Sequence, residues 1–100
     1  MFVLAAVLLV ANAPMAQESR AVALLHNHKC YICHANGKAK AGPAYIDVAA
    51  KYRSNPKAVA TVAAIIRKGA HSGGPWHMPP HPEVSAANAR VMARYILSLK

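Results

Sequence analysis

Both cysteines of the chain fall within one pentapeptide, Cys30-Tyr31-Ile32-Cys33-His34. Two thiols separated by two residues and followed at once by an imidazole form the attachment signature for a c-type haem. The thiols add across the two vinyl groups of the porphyrin, and the short chain between them follows the ring edge. The imidazole then falls under the iron as its proximal ligand. Three other chemistries use a similar pair. A disulfide over two intervening residues closes so small a loop that it stabilises little. A thioredoxin-like redox pair needs strand and βαβ surroundings, for which the chain has no pattern. A zinc site needs further ligands, and His26, His28, His71, His77 and His81 supply imidazoles without a recognisable paired spacing.

A haem iron needs a sixth ligand or an open position. Met78 lies in Gly73-Gly74-Pro75-Trp76-His77-Met78-Pro79-Pro80, forty-four residues after His34. A core methionine normally sits among other hydrophobes at helical spacing, as Met92 does; Met78 is instead flanked by prolines and a histidine. A soft thioether suits haem iron, and His/Met ligation raises the reduction potential relative to bis-His. Filling an apolar gap is the plainer role for Met78, and His77 and His81 are the competing ligands. His26, His28 and His71 read as solvated side chains.

The elements that must position these groups read as all helix. Ser19 is placed to cap a helix over Arg20–His28. Gly37 and Gly42-Pro43 mark a loop. Tyr45, Val48, Ala49 and Tyr52 recur at i, i+3, i+4 and i+7, and Val59, Val62, Ala63 and Ile66 repeat that spacing after Asn55-Pro56. Arg67, Lys68 and Gly69 close the second stripe. His71 to Pro82 holds two Gly, four Pro and three His, and reads as irregular. Ser85 then caps a last helix carrying Met92, Tyr95, Ile96 and Leu99.

At 100 residues the chain is one domain, too short for a barrel enzyme, which takes roughly 200 residues or more. Phe2 to Ala11 is an unbroken apolar run followed by small residues. A membrane span takes about 20 residues, so this run reads instead as the apolar region of a secretory signal peptide over 1–16, with cleavage after Ala16. No Lys or Arg precedes it, the one missing feature of such a leader. The expected mature domain is 17–100, a soluble chain without stable membrane insertion. Of the 55 hydrophobic residues, 22 are alanine. So thin a core calls for a staple.

In this order the residues resemble the short monohaem cytochromes c of bacteria, a branch of class I cytochrome c. The match runs over the mature segment: Cys30 to His34, Gly42-Pro43-Ala44-Tyr45, Arg67-Lys68-Gly69, Trp76, Met78-Pro79-Pro80 and Tyr95-Ile96-Leu97-Ser98-Leu99. The resemblance implies four to five short helices wrapped around one covalent haem c with its iron, and first and last helices that pack through small residues such as Ala21, near Leu25 and Tyr95. It implies that Pro43 offers its carbonyl to the His34 imidazole and that Trp76 lies against the haem edge, where it can bond a propionate. Departures are present: one residue separates Trp76 from Met78, His81 stands where an amide is frequent, Lys29 precedes Cys30 where glycine is common, and the first helix has no aromatic residue.

The implied function is single-electron transfer in the periplasm, without a substrate of its own. A haem subunit of a periplasmic dehydrogenase is the neighbouring alternative, and a five-coordinate haem enzyme or gas sensor a more distant one. The formal charge is +9, from twelve Lys and Arg against three acids. No helix carries the dense basic stripe with aromatics expected of a nucleic-acid binder. Lys29, Lys38 and Lys40 flank the cysteine motif instead, and a basic rim there steers acidic redox partners.

Overall fold

Alanine, leucine and other good helix formers run without a breaker from Met15 through Leu25, and the chain winds into one helix, α1 (Phe2–Asn27). The structure is a computed structural model, which describes residues 2–71 and 77–100, with side chains from residue 15 onward. Helix α1 starts well before the expected Arg20. Ser19 therefore lies inside it, exposed, with no orphan N–H groups to cap.

After α1 the chain reverses through Lys29, whose φ of 63° is left-handed, and Lys29 N–H donates to His26 O at 3.0 Å. A single 3-10 turn, Cys30–Ile32, follows. The remaining helices are α2 (Tyr45–Tyr52), α3 (Ala58–Lys68) and α4 (Ala86–Ser98). All three follow the expected stripes. Tyr45 and Ala49 are buried on α2; Ala58, Val62, Ala63 and Ile66 on α3; Ala89, Met92, Ala93 and Ile96 on α4.

Helix starts differ in how they satisfy their free N–H groups. Ser85 Oγ accepts from Asn88 N–H at 3.1 Å, as its position predicts. Helix α2 has no side-chain cap; Ala35 O and Asn36 O accept from Tyr45 and Ile46 N–H, both at 2.9 Å. The segment after His34 thus serves as the cap of α2. Helix α3 starts two residues later than Pro56, because Asn55 Oδ1 accepts from Lys57 N–H at 2.8 Å and holds a turn there.

The 71–82 stretch is not wholly irregular. Two short strands, β1 (Ala70–His71) and β2 (His77–Met78), pair antiparallel with Ala70 opposite Met78 and His71 opposite His77. Two residues a side are too few to leave a period-two signature.

Helix α4 packs against α1, α2 and α3 and is the hub of the fold. On α1, Ala21 and Leu25 face it fully buried. Seven of the fifteen buried hydrophobics among the described residues are alanine, so helices approach closely and little side-chain bulk fills the centre. The architecture is the all-α fold expected from the sequence.

Candidate functional site

The Cys30–Ile32 turn exists because α1 ends at Asn27 and the chain doubles back at Lys29. Ile32, Cys33 and His34 N–H groups all donate back along it, His34 to Cys30 O at 2.9 Å. Cys30 faces inward and is buried, while Cys33 is exposed; both thiols are free. Burial pushes the Cys30 thiol above its ordinary range, and a hydrogen bond with the Tyr45 hydroxyl partly offsets that. Burial likewise raises Tyr45, and raises the Tyr31 phenol to about 12.

His34 is held on three sides. Its Nδ1 lies 2.8 Å from the Pro43 carbonyl oxygen and so donates its proton there. The ring stacks on Tyr45 with centroids 4.9 Å apart and planes at 19°. Beneath it lies Gly42, where a Cβ would come within 2.5 Å of the imidazole. Gly42 N–H donates to Cys33 O at 2.7 Å, which draws the loop against the cysteine turn. The engaged Nδ1 leaves Nε2 as the lone-pair nitrogen of this ring.

Met78 is half-buried at the end of β2 and packs against the core. Gly69 positions it. With φ +80°, Gly69 lets the following chain approach so closely that a Cβ would meet Met78 O at 2.5 Å and Pro80 N at 2.9 Å. His77 is exposed, and His81 is half-buried. Trp76 lies outside the described residues.

The remaining histidines are not simply solvated. His26 packs on Tyr31 with centroids 4.6 Å apart, and His71 stacks on His77 at 4.8 Å. His28 Nδ1 lies 3.1 Å from Glu83 Oε2, as does His81 Nδ1. Nothing local in the sequence announces these partners. Gly42 and Gly69 were visible only as turn and helix-stop residues, and Asn36 not at all. Asn36 accepts from Tyr31 OH at 3.0 Å and donates to Tyr95 OH at 3.1 Å, tying the cysteine segment to α4.

The donor set fits a porphyrin held by two thioethers. Two free thiols stand two residues apart, the adjacent imidazole has one nitrogen engaged and one available, and a glycine leaves that ring its space. Among the described residues, no group of three or more His, Cys, Asp or Glu side chains is arranged to hold a bare metal ion.

The sequence model of the family described as cytochrome c matches residues 19–100. The chain is 39% identical over 101 residues to cytochrome c-552 of Hydrogenobacter thermophilus, covering 99% of this chain and 97% of that protein. It is 41% identical over 78 residues to cytochrome c-551 of Pseudomonas aeruginosa, covering 77% and 74%. The crystal structure of wild-type Nitrosomonas europaea cytochrome c552 superposes with a TM-score of 0.72 at 36% identity, covering 79% of this chain and 99% of that one. The chain belongs to the cytochrome c family, whose members carry one covalent haem c with its iron and transfer electrons.

Proposed function

We propose that the protein is a periplasmic single-electron carrier whose haem is tethered by Cys30 and Cys33 and ligated by His34 and Met78. The observation that carries this reading is the fixed His34 ring: Nδ1 engaged by Pro43 O, Nε2 free, immediately after two free thiols. When bound, the haem supplies an iron that cycles between ferrous and ferric states.

The residues of the chain have separate tasks. Cys30 and Cys33 fix the porphyrin edge to the turn after α1. The Pro43 carbonyl keeps the His34 proton on Nδ1 and makes Nε2 a stronger donor. The Met78 thioether offers a soft, neutral sulfur that favours the reduced state. Trp76 is assigned to the haem edge on the family resemblance alone. No residue is assigned an acid–base or nucleophilic role, since the protein transforms no substrate itself.

Residues 1–16 serve as the secretory leader in this reading. Cleavage after Ala16 removes no buried side chain among those described, since residues 15–20 are all exposed. Among the described residues, no helix is long and apolar enough to cross a membrane. Around Cys33, Ile32 is 67% exposed, and Lys29, Lys38 and Lys40 are exposed beside it in sequence. A small apolar spot with a basic rim suits brief docking to an acidic redox partner.

The test is Met78→Ala in the oxidised holoprotein. Wild type shows the weak far-red band of a methionine–iron bond, and the variant loses it, has a lower reduction potential and binds cyanide without delay. A wild-type protein that lacks the band and takes up cyanide or carbon monoxide at once contradicts the proposed ligation.

A further inference from the structure

The segment that carries Met78 continues through Pro79, Pro80, His81 and Pro82, three of whose four residues lack a backbone N–H. Such a segment cannot hold itself by regular backbone bonding. On one side it is fastened to α3: His81 N–H donates to Arg67 O at 3.1 Å, and Arg67 Nε–H donates to Val84 O at 2.9 Å. Gly69 admits the Met78–Pro80 backbone against the end of the same helix. On the other side stands Glu83. Its Oε2 lies 3.1 Å from Nδ1 of His28, at the end of α1 two residues before Cys30, and 3.1 Å from Nδ1 of His81.

We propose that Glu83 is a positioning residue for Met78: by accepting from His28 and His81 at one oxygen, it clamps the methionine loop to the turn that bears Cys30. The proposal rests on Met78 being the sixth ligand. The carboxylate has no proton to give, so each ring carries its proton on Nδ1 and donates it. Both rings are about three-quarters covered, with side-chain exposures of 22% and 24%, while Glu83 is 52% exposed. The clamp therefore sits at the surface, where each such pair is worth little singly and the two act together.

The titratable groups facing Glu83 are His28 just after α1, His81 from its own loop and the Cys30 thiol, while Arg67 of α3 is held on the neighbouring Val84 carbonyl. Haem attachment turns that thiol into a thioether and removes its proton. Glu83 is held below the usual carboxylate range, first by its own backbone N–H and then by His81 and His28. A depressed carboxyl contributes above its unfolded pKa and loses that contribution as pH falls through its folded one. Above pH 5 Glu83 therefore stays ionised and keeps accepting from both rings.

The experiment measures cyanide binding to the ferric holoprotein at saturating cyanide, where departure of Met78 limits the rate. Wild type is compared with Glu83→Gln, Glu83→Asp and His28→Gln at pH 7. The Glu83→Gln rate should exceed wild type about fivefold, the scale of two exposed ion pairs. Glu83→Asp should restore much of the wild-type rate, and His28→Gln should show part of the Glu83→Gln effect. A ratio of one overturns the clamp. If the far-red band is present and the ratio is one, only the clamp fails. If wild type lacks the band, the ligation fails and takes the clamp with it.

Discussion

Lys29 bears the strain of the chain reversal between α1 and the cysteine turn. It is the one non-glycine residue with positive φ among those described, in a conformation that costs a residue with a Cβ about 1–2 kcal/mol. Glycine, which the resemblance leads one to expect before Cys30, would carry no such cost. Lys29→Gly should stabilise the holoprotein by about 0.5 kcal/mol once glycine's greater unfolded freedom is set against the relief. The same change removes a basic rim charge and should slow reaction with an acidic partner. Denaturant unfolding and stopped-flow electron transfer measure the two effects, and a destabilised Lys29→Gly protein would contradict the strain argument. At this scale the sequence was partly legible. The cysteine motif is local and could be read directly. The partner of His28 could not, because Glu83 is 55 residues from it and comes near only through the packing of the loop. Gly42 was visible as a turn residue, but its place under the His34 ring depends on Tyr45 and Pro43 holding that ring above it.

At the scale of elements, α2, α3 and α4 were legible because each buries one stripe and exposes the opposite face, which writes the helical period into the sequence. Boundaries were less so. Ser19 lies inside α1 of the uncleaved chain, where a helix already under way leaves a serine nothing to cap; the proposed cleavage after Ala16 would bring it to the start of the helix. The β1–β2 ladder was hidden by its length, although it sets Met78 opposite Ala70. Gly69 joins α3 to that ladder with φ +80° and no room for a Cβ. Gly69→Ala should therefore cost about 2 kcal/mol of stability through backbone strain and the shift of Met78–Pro80. It should also weaken the far-red band before global unfolding begins. Thermal melts followed by far-ultraviolet circular dichroism and by that band separate the two events. Coincident melts with wild-type stability would rule the role out.

For the molecule as a whole, the charge of +9 and the alanine-rich centre have distinct consequences. A core in which Leu25, Met92 and Val84 are the largest fully buried side chains leaves the interior to be completed by a flat cofactor. The basic surface acts outside. Association with an acidic electron acceptor should slow about tenfold from low to physiological ionic strength, as steering is screened. Stopped-flow rates across a salt series check this, and a salt-independent rate would remove steering from the account. Electron transfer also depends on how far atoms must move when the charge changes. The His34 ring, fixed by a carbonyl at one nitrogen, a tyrosine against its face and a glycine backbone beneath, has a single orientation available. In the ligand role proposed for it, the ring would hold that orientation in both oxidation states, so the nuclear reorganisation accompanying each electron would be small and exchange would proceed under a slight driving force.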